Sequence, residues 1–448
     1  MLPAIFKKAA IALALLFTIP AALLASDDWD LEHQKLISSC SNLFTKLAAI
    51  GSCAEFLFSS GTPVRFTIPQ SVVPGGGTAL GATYIHRLGI HDWTDSNFTL
   101  QGGSSIRQFW FADAVLTFDH RKFIQPLSGG DRFQIKLYSH ARGLPLMPFY
   151  GIGPDTARSN IVDFSEQYVS AGASILNPIT SWLNIGGSAE YFKPVVRGAS
   201  GTSVRSIDQY YTEATAPGLT DQPGFGHYQV IVQPKYSWTR TSFNSELSFH
   251  QYQDLGAARY SFHKFRAEVL AKIYPETQTE PTAGGTAQRR QPKYDSVLYI
   301  GGRFSAASPS SGSVVPFYLQ ETIGGSDIDN IATLRGFQDY RFRAPDLFSL
   351  QVQYERRLLP APPRGSPRPS TLRTVAGALG ILAFYDAGEV ATAVDRLSLS
   401  SVRHSFGFGL TFWSGERVWF RAYIGLGSGE GSHTFVGVTN PSAQNVHL

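Results

Sequence analysis

Gly324 to Arg357 reads GGSDIDNIATLRGFQDYRFRAPDLFSLQVQYERR, a Gly- and Asp-rich loop that runs straight into an alternating strand. From Phe348 the apolar residues Phe348, Leu350, Val352 and Tyr354 interleave with Ser349, Gln351, Gln353 and Glu355. A period of two gives a strand one apolar and one polar face. Ahead of it, the nine residues from Arg335 to Arg343 hold three arginines and three aromatics: Arg335, Phe337, Tyr340, Arg341, Phe342 and Arg343. A solvent-exposed loop has no use for that density, so this one is expected to fold back into a polar cavity.

The rest of the chain has the composition that such a cavity needs. Charged residues are 16%, aromatics 13%, and 43 of the 448 residues are Gly. Outside the N-terminus there is no apolar run of the about 18 residues that a spanning helix requires, and mean hydropathy is only -0.07. Low charge, many aromatics and near-neutral hydropathy suit a transmembrane barrel, whose strands face lipid and water alternately. A net charge of +4 is too small to argue for nucleic acid.

Lys7 and Lys8, the apolar stretch Ala9 to Ile19, Pro20 and the small residues up to Ser26 read as a secretory signal over 1–26. The segment 27–62 is expected to carry a short amphipathic helix, with Leu36, Ile37, Cys40, Leu43, Phe44, Leu47 and Ile50 on one face. Cys40 and Cys53 are the only cysteines. They pair only if Gly51 and Ser52 turn the helix back on itself, and both a disulfide and two buried thiols stay open.

From residue 63 to the end the chain reads as strand after strand. Sixteen candidates run from 78–87 to 432–439, among them 182–194, 226–240, 295–305, 316–323 and 347–357. In 261–274, Phe265, Ala267, Val269, Ala271 and Ile273 alternate with Lys264, Arg266, Glu268 and Lys272, charges that must meet water inside a polar lumen. If both termini lie at one end, this count puts 324–345 at the opposite end. It also puts the long segment 195–223 at the terminal end, where turns are expected to be short.

Leu334-Arg335-Gly336-Phe337, with Tyr340-Arg341-Phe342-Arg343 and the strand behind them, resembles the signature loop of the bacterial surface antigen family, the outer-membrane barrels of the BamA/TamA type. Phe149-Tyr150-Gly151-Ile152-Gly153-Pro154 and Phe384-Tyr385-Asp386-Ala387-Gly388 resemble that family too, in the same order. The resemblance implies an all-β, 16-stranded antiparallel transmembrane barrel with the RGF loop folded into its lumen. It implies that Arg335 pairs with the acid of an F-x-D-x-G motif; Phe384, Asp386 and Gly388 match the motif, so Asp386 is the expected partner. It further implies a protein in the outer membrane of a diderm bacterium, in contact with lipid, that assists insertion or translocation of unfolded outer-membrane or exported proteins. No cofactor or metal is implied. Two departures stand out. The segment 27–62 is too short for the POTRA modules of such relatives, and the chain ends in Asn-Val-His-Leu rather than in an aromatic.

A passive structural barrel or diffusion channel is the alternative. An enzyme is not expected, because no G-x-S-x-G elbow occurs and His120, His140, His250 and His404 read as hydrogen-bonding wall residues. A lipid-directed barrel enzyme would need Ser, His and an acid within reach of one another on the outer wall. Asp327-Ile328-Asp329-Asn330 lacks the closing Gly and Glu of an EF-hand, and Pro74-Gly75-Gly76-Gly77 reads as a bend.

Overall fold

The computed structural model describes the chain from Val64 to Val438, apart from 68–72, 121–131, 279–292, 326–333, 360–376 and a few shorter interruptions. The signal segment, the amphipathic helix, Cys40, Cys53 and the Asp327 cluster lie outside the described residues.

Among the described residues sixteen strands form one antiparallel meander in which each pairs with its chain neighbour. They are β1 (Val64–Thr67), β2 (Ala79–Arg87), β3 (Asn97–Ser105), β4 (Trp110–His120), β5 (Phe133–Phe149) and β6 (Val162–Thr180). There follow β7 (Leu183–Gly198), β8 (Phe225–Ser237), β9 (Thr241–Asp254), β10 (Phe262–Ile273) and β11 (Ser296–Pro309). The series ends with β12 (Asp346–Arg357), β13 (Leu379–Ala391), β14 (Arg403–Ser414), β15 (Arg417–Gly427) and β16 (Gly431–Val438). A two-residue strand, Arg205–Ser206, adds in parallel to β6. Among the described residues no pairing joins β1 to β16.

Burial along these strands is inverted relative to a soluble protein. On β9, Leu247 and Phe249 are 41% and 47% exposed, while the intervening Glu246, Ser248 and His250 are buried. On β14, Phe406, Phe408 and Leu410 point outward and Ser405 and Thr411 are buried. The polar face is thus the inner face, and the outer face is an apolar belt. Aromatics mark its two edges: Trp182, Tyr236 and Trp238 at one, Tyr191 and Tyr228 at the other, all about half exposed. Tyr228 and Tyr236 both lie on β8, and eight tilted strand residues span about 20 Å of height, near the thickness of a barrel's apolar band.

The expectation of a wall strand at 316–323 is corrected. Phe317–Leu319 forms a 3-10 turn, and Glu321–Ile323 pairs with Phe342–Ala344 in a separate two-stranded hairpin. The apolar residues that suggested a strand are instead buried in a cap, with Phe317 at 0% and Tyr318 at 3% exposure. The sixteenth wall strand is Val64–Thr67, paired with Gly81 to Tyr84. Numbering therefore shifts by one from β2 through β11, and the segment between β7 and β8 moves to the end that carries 310–345. Contacts agree: the Phe317 amide donates to Pro217 O at 2.9 Å, and the Leu255 amide to Gly224 O at 2.9 Å. The misplaced long turn no longer arises.

At that loop end the connections form an apolar core of their own. Phe149, Phe164, Phe225 and Phe317 are fully buried together with Ile207, Leu219, Tyr260 and Tyr340. Phe317 meets Phe149 and Phe164 at ring separations of 5.0 and 5.1 Å. Each such ring contributes about 1.5–3 kcal/mol by leaving water, so the cap is a folded unit rather than a set of loose loops.

Candidate functional site

The segment from Leu334 to Ala344 lies against the inner face of the wall. Gly324 and Gly325 turn the chain with φ of 120° and 57°, and Leu334 and Tyr340 adopt φ of 47° and 58°, rare for residues with side chains. Local hydrogen bonds hold these turns: Gly325 N to Leu334 O at 3.1 Å, Phe337 N to Leu334 O at 2.9 Å, and Tyr340 N to Gly324 O at 3.1 Å. Gly336 is required by close approach, because a Cβ there would lie 2.4 Å from Gly427 N.

The three arginines of this segment have three different surroundings. Arg335 meets Asp386 of β13: its amide donates to Oδ2 at 2.9 Å, Nε at 3.0 Å, and Nη2 to Oδ1 at 2.6 Å. Ser405 of β14 adds a hydroxyl to the same carboxylate at 3.1 Å, and Nη1 reaches Gln353 of β12. The guanidinium lies 3.7 Å over the Phe384 ring, a cation–π contact. Arg335 is 5% and Asp386 0% exposed, so each charge depends on the other. Gly388 gives β13 room against β12, where a Cβ would stand 3.0 Å from Phe348 O.

Arg341 donates from Nε to both Glu430 oxygens, at 2.9 and 2.7 Å, and from Nη1 to Thr156 Oγ1 at 3.0 Å. Arg343 donates to Phe317 O at 2.6 Å and stands 5.9 Å from the rings of Phe149, Phe164 and Phe317. The Gly153 amide donates to Arg343 O at 2.7 Å, which ties the Phe149 to Pro154 segment to the same place. Leu334 and Phe337 are buried with Phe342 and Val390.

A second anchor was not named from sequence. Glu321, on the other arm of the hairpin, accepts Lys264 Nζ of β10 at 2.9 Å and Ser305 Oγ of β11 at 3.1 Å, and pairs with Arg303. Burial pushes its carboxyl up, but the charges of Arg303, Lys264 and Arg266 pull harder and hold it well below the usual carboxylate range. Lys264 and Arg266 stood out as inward charges in the sequence; Glu321 was hidden in the segment read as a wall strand.

The wall also carries a hydrogen-bonded chain. Glu190 Oε1 meets His227 Nδ1 at 2.8 Å, His227 Nε2 meets His250 Nδ1 at 3.1 Å, and His250 Nε2 meets Ser248 Oγ at 2.9 Å. Ser, His and an acid are within reach of one another here, but on the inner wall, with Ser248 2% exposed. Of the other sequence-singled histidines, His140 pairs with Asp113 at 2.7 Å, His404 with Tyr385 Oη at 2.8 Å, and His120 packs 4.8 Å from Trp93.

No family model matches the chain, and no curated protein is similar in sequence. Among solved structures the fold is similar to BamA from Haemophilus ducreyi lacking POTRA domains 1-3, at 12% identity and a TM-score of 0.50 over 88% of this chain and 78% of that one. It is also similar to CdiB from Escherichia coli, at 10% identity and 0.47 over 90% and 74%. The outer membrane protein OprD from Pseudomonas aeruginosa follows at 10% identity and 0.33, over 81% and 87%. The first of these likenesses shows the fold: an all-β sheet of the BamA barrel type.

Proposed function

We propose that this chain is a barrel of a diderm outer membrane that assists the insertion or translocation of proteins. In this reading β1 and β16 form an edge that opens to a client segment by strand pairing, while the Arg335 loop braces the wall from the lumen. The observation that carries it is the arrangement around the edge. No pairing joins β1 to β16 among the described residues, and the anchored segment lies against β13 and β15 beside that edge. The apolar outer belt with aromatic borders supports a membrane location, lipid being the one solvent that rewards it.

The alternative, a diffusion channel, needs a continuous water path. The cap built on Phe149, Phe164, Phe225 and Phe317 fills the loop end with apolar side chains and counts against it. Depletion of the protein, followed by quantitation of the outer-membrane proteome, tests the main reading. A loss of particular barrels or exported proteins is the expected result. An unchanged proteome, with steady conductance of the purified protein in planar bilayers, sinks it in favour of the channel.

A further inference from the structure

The inner segment reaches beyond its contact with β13. On β15, Ile424 and Leu426 are exposed, so the alternate residues Gly425 and Gly427 face inward. A Cβ on Gly425 would lie 2.7 Å from Arg335 O and 2.9 Å from Gly336 N; one on Gly427 would lie 2.7 Å from Gly336 O and 3.0 Å from the Phe337 ring. The obstacles are mostly backbone, which cannot swing aside as a side chain can. Bare backbone thus rests on bare backbone. Not every wall glycine is so crowded: on β11 a Cβ at Gly301 meets nothing nearer than 3.8 Å.

Just beyond this contact, the β15–β16 turn carries Glu430. Its carboxylate takes both Nε contacts of Arg341, which is 2% exposed, while Arg341 also donates from Nη2 to Thr156 O at 2.6 Å. Arg158 Nη1 donates to Glu430 O at 3.1 Å. The turn between the last two strands is therefore tied, through one buried arginine, to the connection between β5 and β6 across the interior.

We propose that Gly425 and Gly427 are a seat and Glu430 a latch, positioning residues by which the inner segment holds the last hairpin, and with it the edge strand β16, at the loop end. The significance of the held edge rests on the proposed function; the holding itself does not. Movement of β16 at the loop end then requires the loss of the Arg341–Glu430 pair and the lifting of Gly336 from its seat, whereas toward its other end β15 is held by Arg421, which pairs with Glu355 of β12.

The test uses the full-length protein in liposomes, with no client present, so its outcome is separate from that of the depletion experiment. Spin labels at Ser428 and Ala157, both exposed, report the distance between the last turn and the β5–β6 connection. Trypsin reports exposure of Arg341 and Arg343. Gly425→Ala and Glu430→Gln are expected to broaden the distance distribution and to raise cutting after Arg343 by about tenfold or more, the population change that loss of one charge-assisted buried hydrogen bond brings. Gly301→Ala is expected to change neither, and heat-modifiable gel mobility shows that the barrel stays folded. If Gly425→Ala fails to fold, Glu430→Gln decides alone. A narrow, wild-type distance and wild-type protection in Glu430→Gln overturn the proposal.

Discussion

Arg335 binds Asp386 through its backbone amide as well as its guanidinium, at 2.9 and 2.6 Å, so the carboxylate holds both the side chain and the course of the main chain. Replacing Arg335 with Ala leaves a buried carboxylate with only the amide and Ser405. We expect a loss of about 3–5 kcal/mol of local stability, read as a lower temperature of unfolding on heat-modifiable gels and as nicking after Arg341 or Arg343. The double exchange Arg335→Asp with Asp386→Arg should recover only part of it, because an arginine at 386 cannot accept the amide of residue 335. Full recovery would show that charge alone sets the contact.

Glu321 should matter about as much as Asp386. Glu321→Ala leaves Lys264 and Arg303 facing each other without their shared counter-charge, at a cost again of about 3–5 kcal/mol. Adding Lys264→Met to Glu321→Ala removes one orphaned cation and should restore part of the loss. Thermal unfolding of the single and double variants in detergent gives the coupling; purely additive effects would mean that the pair is not a unit.

His227→Phe preserves an aromatic ring against Tyr252, 4.2 Å away, but removes both nitrogens from the wall chain. His250 Nδ1 loses its partner and Glu190 keeps Tyr138. A buried group left unpaired costs about 1–3 kcal/mol, which thermal unfolding resolves. A melting temperature equal to wild type would show that the chain contributes nothing to stability.

The cap should loosen in acid. Burial pushes the Glu213 carboxyl up, but hydrogen bonds from Tyr260 Oη, from the Gly218 and Thr220 amides and from Thr220 Oγ1 outweigh it and hold it below the usual range. With a lowered folded value, the stabilisation is fully present above the unfolded value of about 4.3 and disappears as pH falls through the folded value. Protection of the 212–220 segment from pepsin should therefore drop below about pH 4. In Glu213→Gln that pH dependence should vanish, and its persistence would place the acid-sensitive group elsewhere.

The inner segment's arginines and the F-x-D-x-G strand are legible as residues, but their distances are not. Phe384 and Asp386 both face inward only because β13 alternates, and Arg335 reaches them only because the chain turns at Leu334 with φ of 47°. Glu321 was illegible for a physical reason: Val315 to Ile323 is apolar enough for a strand, and only competition between wall and cap decides where such a segment is buried. Val64–Thr67 was missed because the alternation of Val64, Phe66 and Ile68 with Arg65 and Thr67, closed off by Pro63 and Pro69, is too short to stand out in the sequence. These two errors cancel in the strand count and survive in its parity, which is why the segment between β7 and β8 fell at the wrong end.

Alternation is local, so the sequence by itself determined that the chain is all-β, where most strands lie, and that each has one polar face. Which face turns inward is a global choice, made when the sheet curves round its charged side chains. Register then decides the company each residue keeps: Glu190 is paired with His227 across β7 and β8, and because His227 is paired with Tyr252 on β9, His250 lies on the diagonal beside it. Gly425 and Gly427 show the limit most plainly. In the sequence they are two small residues on a strand, and only the arrival of Gly336 gives their missing side chains a purpose.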